Sequence, residues 1–204
     1  GASGNNVTGA NNTAIGFNSM FTNTTGANNI GLGVQAGYSN STSSNNLAVG
    51  TSALYFSIGG DNVAIGSSAG IENRAGVQNV YIGTEAGEGG AYVSATANWN
   101  GSNNVYIGYR SGQSLATTSV INNSIAIGSN ALVGASNTMV LGGTGANQVS
   151  VGIGTTTPSG LFHVASTTIP NPFIVASNGY VGIGTTTPAT LLHISGTSPS
   201  ISLS

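Results

Sequence analysis

Two histidines are the residues whose spacing most directly suggests a binding site. His163 and His193 occupy equivalent positions in two copies of a 30-residue repeat, VGIGTTTPSGLFHV and VGIGTTTPATLLHI. Around a three-fold axis, each histidine would form a ring of three imidazoles, an arrangement that can bind a metal ion or an anion. The alternative is a structural histidine, hydrogen-bonded to a neighbouring residue. With no further ligands in the pattern, we assign no metal and no cofactor from the sequence.

An insertion in the chain is the second candidate site. It runs from Glu88 to Ser102, reads EGGAYVSATANWNGS, and contains the single tryptophan, Trp99, together with Tyr92. Loops that project from a rigid scaffold often carry binding functions. We therefore expect Tyr92 and Trp99 to contact a receptor, for example a glycan, or another fibre. The alternative is a loop that packs back on its own assembly.

The charged residues argue against an enzyme and against nucleic-acid binding. Only 3% of the residues are charged, there is no lysine, and cysteine is absent. Glycoside hydrolysis needs two converging carboxylates, whereas the four here are scattered, with Glu85 and Glu88 the closest pair. Two arginines cannot form a basic patch for phosphates. No apolar run approaches the roughly 20 residues of a membrane-spanning helix, so no membrane span is expected.

A recurring pentapeptide indicates the elements that would position these residues. It consists of Asn, any residue, a small residue, an aliphatic residue and Gly, and the closing glycines are 17, 17, 16, 17 and 25 residues apart in the first six copies. Looser copies follow up to Gly184. The clear copies are NTAIG at 12–16, NIGLG at 29–33, NLAVG at 46–50, NVAIG at 62–66, and NVYIG at both 79–83 and 104–108.

Each copy alternates as a β-strand does. The second and fourth positions carry large aliphatic residues, such as Val63 and Ile65, which a period of two places on one face. We expect these residues to form the core. The third position is usually small, as at Ala48 and Ala64, and permits close approach of another layer on the opposite face.

The repeat length predicts an all-β fold, a parallel β-solenoid or β-roll with one coil per repeat. A five-residue strand every 17 residues leaves about a dozen residues for turns and a return leg. Asn pairs such as Asn28-Asn29 precede the strands and should align as ladders on stacked turns. Because such a coil has a thin interior, we expect it to oligomerise, and three-fold packing would bury a second face.

The pattern changes near residue 150. We expect residues 1–148 to form the β-roll head and residues 149–204, with the two VGIGTTTP repeats, to form a β-rich neck or stalk. Pro158 and Pro188 cannot donate a ladder hydrogen bond, so they mark turns or strand starts. The chain begins at Gly1 rather than Met and ends within a pattern, which leads us to expect a processed or incomplete product.

The ordered series of motifs resembles a known family. The NxAIG array is similar to the YadA-like head of trimeric autotransporter adhesins. The array, the element NTMVLG at 137–142 and the two VGIGTTTP copies also resemble, in this order, bacteriophage tail fibres and related bacterial surface fibres. The resemblance covers nearly the whole chain. It implies left-handed parallel β-rolls, a homotrimer, an elongated fibre and often a C-terminal chaperone domain that is cleaved off.

These observations lead us to expect a non-enzymatic structural and adhesive protein. It would form an elongated trimeric fibre for surface attachment, located outside the cell, on a cell surface or on a virion. Its expected partners are further copies of itself and a host or surface receptor. Two alternatives stay open at this stage: a bacteriophage tail fibre that recognises a host receptor, and a repeating subunit of an extracellular filament assembled head to tail.

Overall fold

A computed structural model describes residues 8–88, 100–114, 120–165 and 173–196. The chain divides into two compact units, Gly1–Gln148 and Val149–Ser204. In the described ranges, short strands make up almost all of the regular structure, and the one helical element is the single-turn 3-10 helix Gly145–Asn147. The predicted all-β class is therefore confirmed.

An eight-stranded parallel sheet dominates the first unit. Successive repeats pair in register, so that Ala48 lies between Gly31 and Ala64 at the same level of neighbouring strands. The sheet therefore grows by one strand per repeat. Its strands, in order, are β1 (Thr13–Ile15), β2 (Ile30–Leu32), β3 (Leu47–Val49), β4 (Val63–Ile65), β5 (Val80–Ile82), β6 (Val105–Ile107), β8 (Ile125–Ile127) and β10 (Met139–Leu141).

The return legs of the repeats are stacked as well. The Gly37 N–H donates to the Ala53 carbonyl, and the Gly70 N–H donates to the Ala86 carbonyl in the same way. Farther along the chain the return legs form a two-stranded parallel sheet of β7 (Gly112–Gln113) and β9 (Leu132–Val133). Because both legs bond from coil to coil, this unit is solenoid-like and compatible with the predicted β-solenoid.

The closing glycine of each motif is required by the stacking. Gly50 has a φ of +129°, and a Cβ on it would lie 2.4 Å from the carbonyl oxygen of Gly66 in the next coil. The same conflict recurs at Gly33 and Gly66. A side chain here would both strain the backbone and push two coils apart, so glycine is the residue that allows the repeat to stack.

The interior of the coil lies on the opposite side from the one that we predicted. The third positions of the strands point inward and are buried, as at Ala48, Ala64 and Ala126. The large aliphatic residues point outward, and Ile30 and Ile65 are about 40% exposed. The expectation that these aliphatic residues form the core is therefore wrong. The two legs of a coil approach too closely for paired large side chains, so alanines such as Ala36, Ala53 and Ala69 fill the interior.

Larger interior residues fit only where glycines make room for them. The ring of Tyr81 lies between Gly70 and Gly87, where added Cβ atoms would be 2.5 Å and 2.6 Å from ring carbons. The Met20 side chain fits in a similar way against Gly31 and Gly37, where an added Cβ would lie close to it. A bulky residue in one coil is thus matched by glycines that face it, which keeps the interior closely packed.

Asparagine ladders hold the coils together, as predicted. On the inner ladder, the Asn79 backbone N–H donates to Asn62 Oδ1 at 3.0 Å, and Asn62 Nδ2 donates to the Gly76 carbonyl at 3.0 Å. On the outer ladder, Asn45 Nδ2 donates to Asp61 Oδ1 at 2.9 Å. The inner ladder is buried and satisfies backbone groups at the start of each strand. The outer ladder is exposed, and its residues have left-handed φ values near +60°.

The second unit contains a five-stranded mixed sheet. Each 30-residue repeat contributes a parallel pair, and β13 lies between the two pairs, antiparallel to both. The loop TTTP links the strands of each pair without a helix. The strands are β11 (Val151–Ile153), β12 (Phe162–Val164), β13 (Phe173–Val175), β14 (Val181–Ile183) and β15 (Leu192–Ile194).

Candidate interaction surfaces

The largest candidate surface is a stripe of apolar side chains on the eight-stranded sheet. Each strand contributes its two outward positions, and every one of these side chains is half-buried or exposed. We call this set the apolar stripe. Apart from Thr13 at the first rung, its members are Ile15, Ile30, Leu32, Leu47, Val49, Val63, Ile65, Val80, Ile82, Val105, Ile107, Ile125, Ile127, Met139 and Leu141.

The apolar stripe is long, narrow and uncharged. Eight strands at a spacing of about 4.8 Å extend it over roughly 34 Å, with a width of two side chains. Ile15 at one end is 64% exposed and Met139 at the other is 58% exposed. Contiguous exposed apolar surface of this kind is typical of interaction sites. Sequence reasoning found these residues but placed them in the core.

Aromatic side chains form a second column, on the return legs. The rings of Phe21, Tyr38 and Tyr55 stack in sequence, with centroids 5.6 Å and 4.8 Å apart. Phe56 stands edge-on to Tyr55, and the Arg74 guanidinium lies 5.3 Å from the centre of its ring. The rings of Phe21, Tyr38 and Tyr55 stack because these residues occupy the same position in three successive repeats.

Three of the four carboxylates are engaged in ion pairs or in the outer asparagine ladder. Glu72 pairs with Arg74 at 3.3 Å, and Glu85 pairs with Arg110 at 3.2 Å. Asp61 accepts a hydrogen bond in the outer asparagine ladder. In the part of the chain that the structure describes, no group of three or more His, Cys, Asp or Glu residues is placed to bind a metal ion.

Glu88 is the unusual carboxylate, and sequence reasoning gave it no role. It is only 4% exposed, and its buried Oε1 atom has no hydrogen-bond partner among the described residues. Burial, reinforced by the negative charge of Glu85, raises the pKa of Glu88 from its ordinary value of 4.5 to about 7, although Arg110 opposes this shift. Glu72 adds a smaller effect that also raises the pKa. No sequence pattern marks this burial.

The predicted adhesive residues Tyr92 and Trp99 lie outside the described residues. Glu88, at the start of the insertion, donates its backbone N–H to the Glu85 carbonyl. Asn100, near its end, accepts at Oδ1 from the Ala75 N–H at 3.1 Å. Both ends of the insertion are therefore hydrogen-bonded to the solenoid, and the role of Tyr92 and Trp99 stays a prediction.

The two histidines hold the TTTP loops in place. His163 Nδ1 accepts from the Ser159 N–H and His193 Nδ1 accepts from the Ala189 N–H, each at 3.3 Å. Accepting at Nδ1 places the proton of the neutral imidazole on Nε2. His163 Nε2 is buried and has no partner within the part of the chain that the structure describes, so another chain could reach it only after a rearrangement. These contacts agree with the interpretation of both histidines as structural residues. The rings of three imidazoles around a three-fold axis stay a prediction.

Comparisons of this chain with protein-family models, with curated proteins and with solved structures find no match. The resemblance to adhesin heads and tail fibres therefore stays a prediction carried by the sequence motifs. Within the described ranges, no helix has the length and apolar character needed to cross a membrane.

Proposed function

We propose that this chain is a non-enzymatic structural and adhesive protein that assembles into an elongated homotrimeric fibre outside the cell. One observation carries the proposal: the apolar stripe, whose side chains are half-buried or exposed, runs along the whole eight-stranded sheet. A single chain leaves this surface in water. Association of identical chains through the stripe would remove it from water and would leave the polar asparagine ladders at the surface.

The energy available from the stripe is sufficient for association. Completing the burial of a half-exposed aliphatic side chain contributes about 1 kcal/mol, so the stripe contributes on the order of 10 kcal/mol per chain. Association costs about 4–15 kcal/mol in lost freedom, and each chain of a trimer gains contacts with two neighbours. A stripe two side chains wide suits a three-fold axis, because each column of side chains can face a different neighbour. The motif resemblance supports the same symmetry and a left-handed coil.

The scarcity of charge fits this assembly. Any charge on the stripe would be repeated around the axis and would be desolvated beside its copies, which is costly. The six charged residues all lie between Asp61 and Arg110, and none of them is in the stripe. In this proposal residues 1–148 form the trimeric head, and residues 149–204 form the neck.

Replacing one stripe residue by aspartate tests the proposal. Ile65 is 39% exposed in the stripe, whereas Ile58, 55% exposed in the preceding coil, lies outside it and is the matched control. We expect the wild-type chain and Ile58→Asp to sediment as trimers at low micromolar concentration. Ile65→Asp should sediment as a monomer with an unchanged β-sheet circular dichroism spectrum. A monomeric wild-type chain, or a trimer that tolerates Ile65→Asp, would refute the assembly.

Adhesion is tested separately at the insertion. Three copies of a weak site on one rod act together, so removing one aromatic contact per chain lowers avidity strongly. We expect Trp99→Ala to remain trimeric and to lose most binding to cell surfaces or immobilised glycans. Phe17→Ala, which removes an aromatic ring that is 65% exposed in the first described coil, serves as the control. Undiminished binding of the Trp99→Ala trimer would exclude the insertion as the adhesive site.

A further inference from the structure

The five-stranded sheet of the second unit has two faces of different character. One face carries the register-paired residues Gly152, His163, Ile174, Gly182 and His193. The TTTP loops fold onto this face: an added Cβ on Gly152 would lie 2.9 Å from Pro158 Cγ, and Ile174 is fully buried. The loops and the histidine hydrogen bonds thus bury His163, Ile174 and Gly182 from within the chain, whereas His193 is half-buried and Gly152 at one edge is exposed.

The opposite face is entirely apolar, and the described residues leave its side chains half-buried or exposed. Its ten positions carry only valine, isoleucine, leucine and phenylalanine, and none of them is buried. Ile153 and Leu192 are each 52% exposed, near opposite edges of the sheet. We call this set the apolar sheet face. Its members are Val151, Ile153, Phe162, Val164, Phe173, Val175, Val181, Ile183, Leu192 and Ile194.

The chemistry of the apolar sheet face restricts what can cover it. No residue between 149 and 204 is Asp, Glu, Lys or Arg, so the face offers no counter-charge to a charged partner. A charged surface packed here would lose its hydration without compensation. An uncharged apolar surface is required, and the face itself meets that description. Phe162 and Phe173 at its centre pack edge to face, with centroids 5.9 Å apart.

The size of the face indicates where this partner comes from. A stable interface between separate molecules buries about 800 Å² and 20–30 residues on each side, whereas this face has ten residues. A molecule arriving from solution would therefore be held weakly. A copy already joined through the apolar stripe is present at an effective concentration in the millimolar range, at which a small apolar face suffices.

We infer that the apolar sheet face packs against the same face of the other copies of this chain, as a second self-association surface in the 149–204 unit. The inference rests on the trimer under the proposed function. It adds that the unit 149–204 is joined between copies by side-chain packing and is not an independent spacer. The loop-covered face, with its two histidines, then lies on the outside of the packed sheets.

Cysteine cross-linking in the full chain tests the inference, because the natural sequence contains no cysteine. Val175→Cys places one thiol at the centre of the face, and Ser177→Cys places a control thiol in the exposed turn two residues later. A short bis-maleimide that spans the roughly 10 Å between packed sheets is the probe. We expect Val175→Cys to convert most chains into covalent dimers on a denaturing gel, and Ser177→Cys to remain at background.

Three other results would overturn the inference. If Val175→Cys is trimeric and its thiol reacts freely with a monofunctional maleimide, the apolar sheet face is uncovered. A trimer in which that thiol is neither reactive nor cross-linked has a face covered by its own chain. In both cases the sedimentation of the trimer leaves the proposed function standing. A monomer in sedimentation contradicts the proposed function and removes the partner that the inference requires.

Discussion

Replacing Glu88 by glutamine should change the pH dependence of stability in a defined direction. Burial raises the pKa of Glu88 from 4.5 to about 7, so the folded state keeps a proton that the unfolded state releases between these values. The folded state is therefore most favoured below pH 4.5. Its stability falls as the pH rises through 7, because the charged form is disfavoured in the buried site.

The size of the effect follows from the shift. Raising the pKa from 4.5 to about 7 corresponds to at most about 3.4 kcal/mol, and solvent screening around the neighbouring ion pair reduces this to about 2 kcal/mol. Glu88→Gln removes the titration and keeps the shape of the side chain. The variant should therefore be more stable than the wild type by about 2 kcal/mol at pH 8. The two proteins should differ little at pH 4.5.

Urea unfolding at a fixed protein concentration, followed by circular dichroism at several pH values from 4.5 to 8, measures this difference. Both proteins keep His163 and His193, so subtracting the two curves isolates Glu88. The fixed concentration keeps the contribution of subunit association constant. Parallel curves for the two proteins, or a variant that is less stable than the wild type at pH 8, would refute the assignment of Glu88 as a buried, destabilised carboxylate.

Three further predictions concern the interior of the coil. Asn62→Ala leaves the buried Asn79 N–H without an acceptor and should lower the free energy of unfolding by about 3 kcal/mol. Asn45→Gly, in the exposed outer ladder, is the control and should change the free energy of unfolding by less than about 0.5 kcal/mol. Chemical denaturation of both variants measures the difference. Gly70→Ala places a Cβ 2.5 Å from the Tyr81 ring on a backbone with a φ of +59°, so it should lower the free energy of unfolding by about 2–4 kcal/mol in the same assay. Gly134→Ala, where the added Cβ meets open space, is the control and should leave the free energy of unfolding unchanged. Burial raises the pKa of both Tyr81 and Tyr106. In an alkaline absorbance titration these two tyrosines should therefore ionise only as the β-sheet circular dichroism signal is lost. Ionisation of either tyrosine in the intact fold would contradict their burial.

Much of the solenoid could be predicted from the repeat itself. The period of about 17 residues, the alternation within NVAIG and the Asn pairs led to parallel strands and asparagine ladders, both of which the structure contains. These features depend on local backbone geometry. Glycine at the turn and asparagine in left-handed conformations specify the coil before any long-range contact is considered.

The direction of the side chains could not be predicted in the same way. Alternation separates Ala64 from Val63 and Ile65 but does not say which face is inside. We placed the larger residues inside, as in an ordinary globular core, and the structure places the alanine there. The distance between the two legs of a coil decides the matter, and this distance results from the glycine turns and from hydrogen bonds along both legs.

For the candidate sites too, some features are visible in the repeat and others depend on the tertiary structure. The equivalence of His163 and His193 is visible in the repeat, but their hydrogen bonds to Ser159 and Ala189 depend on the fold of the TTTP loops. The buried state of Glu88 has no sequence signature, because a single glutamate in a polar segment is ordinarily exposed. Its removal from water is a property of the folded chain.

The sequence by itself therefore determined the class of fold, the repeat that builds it and the near absence of chemically reactive groups. Periodicity and turn residues act over a few positions, so they can be recognised without knowledge of distant contacts. The tertiary structure alone decided that alanines fill the interior and that Ile65 and its equivalents form an apolar stripe on the outside. That outcome depends on the spatial separation of the two legs of a coil, such as Val105–Ile107 and Gly112–Gln113, a distance that only the folded coil specifies.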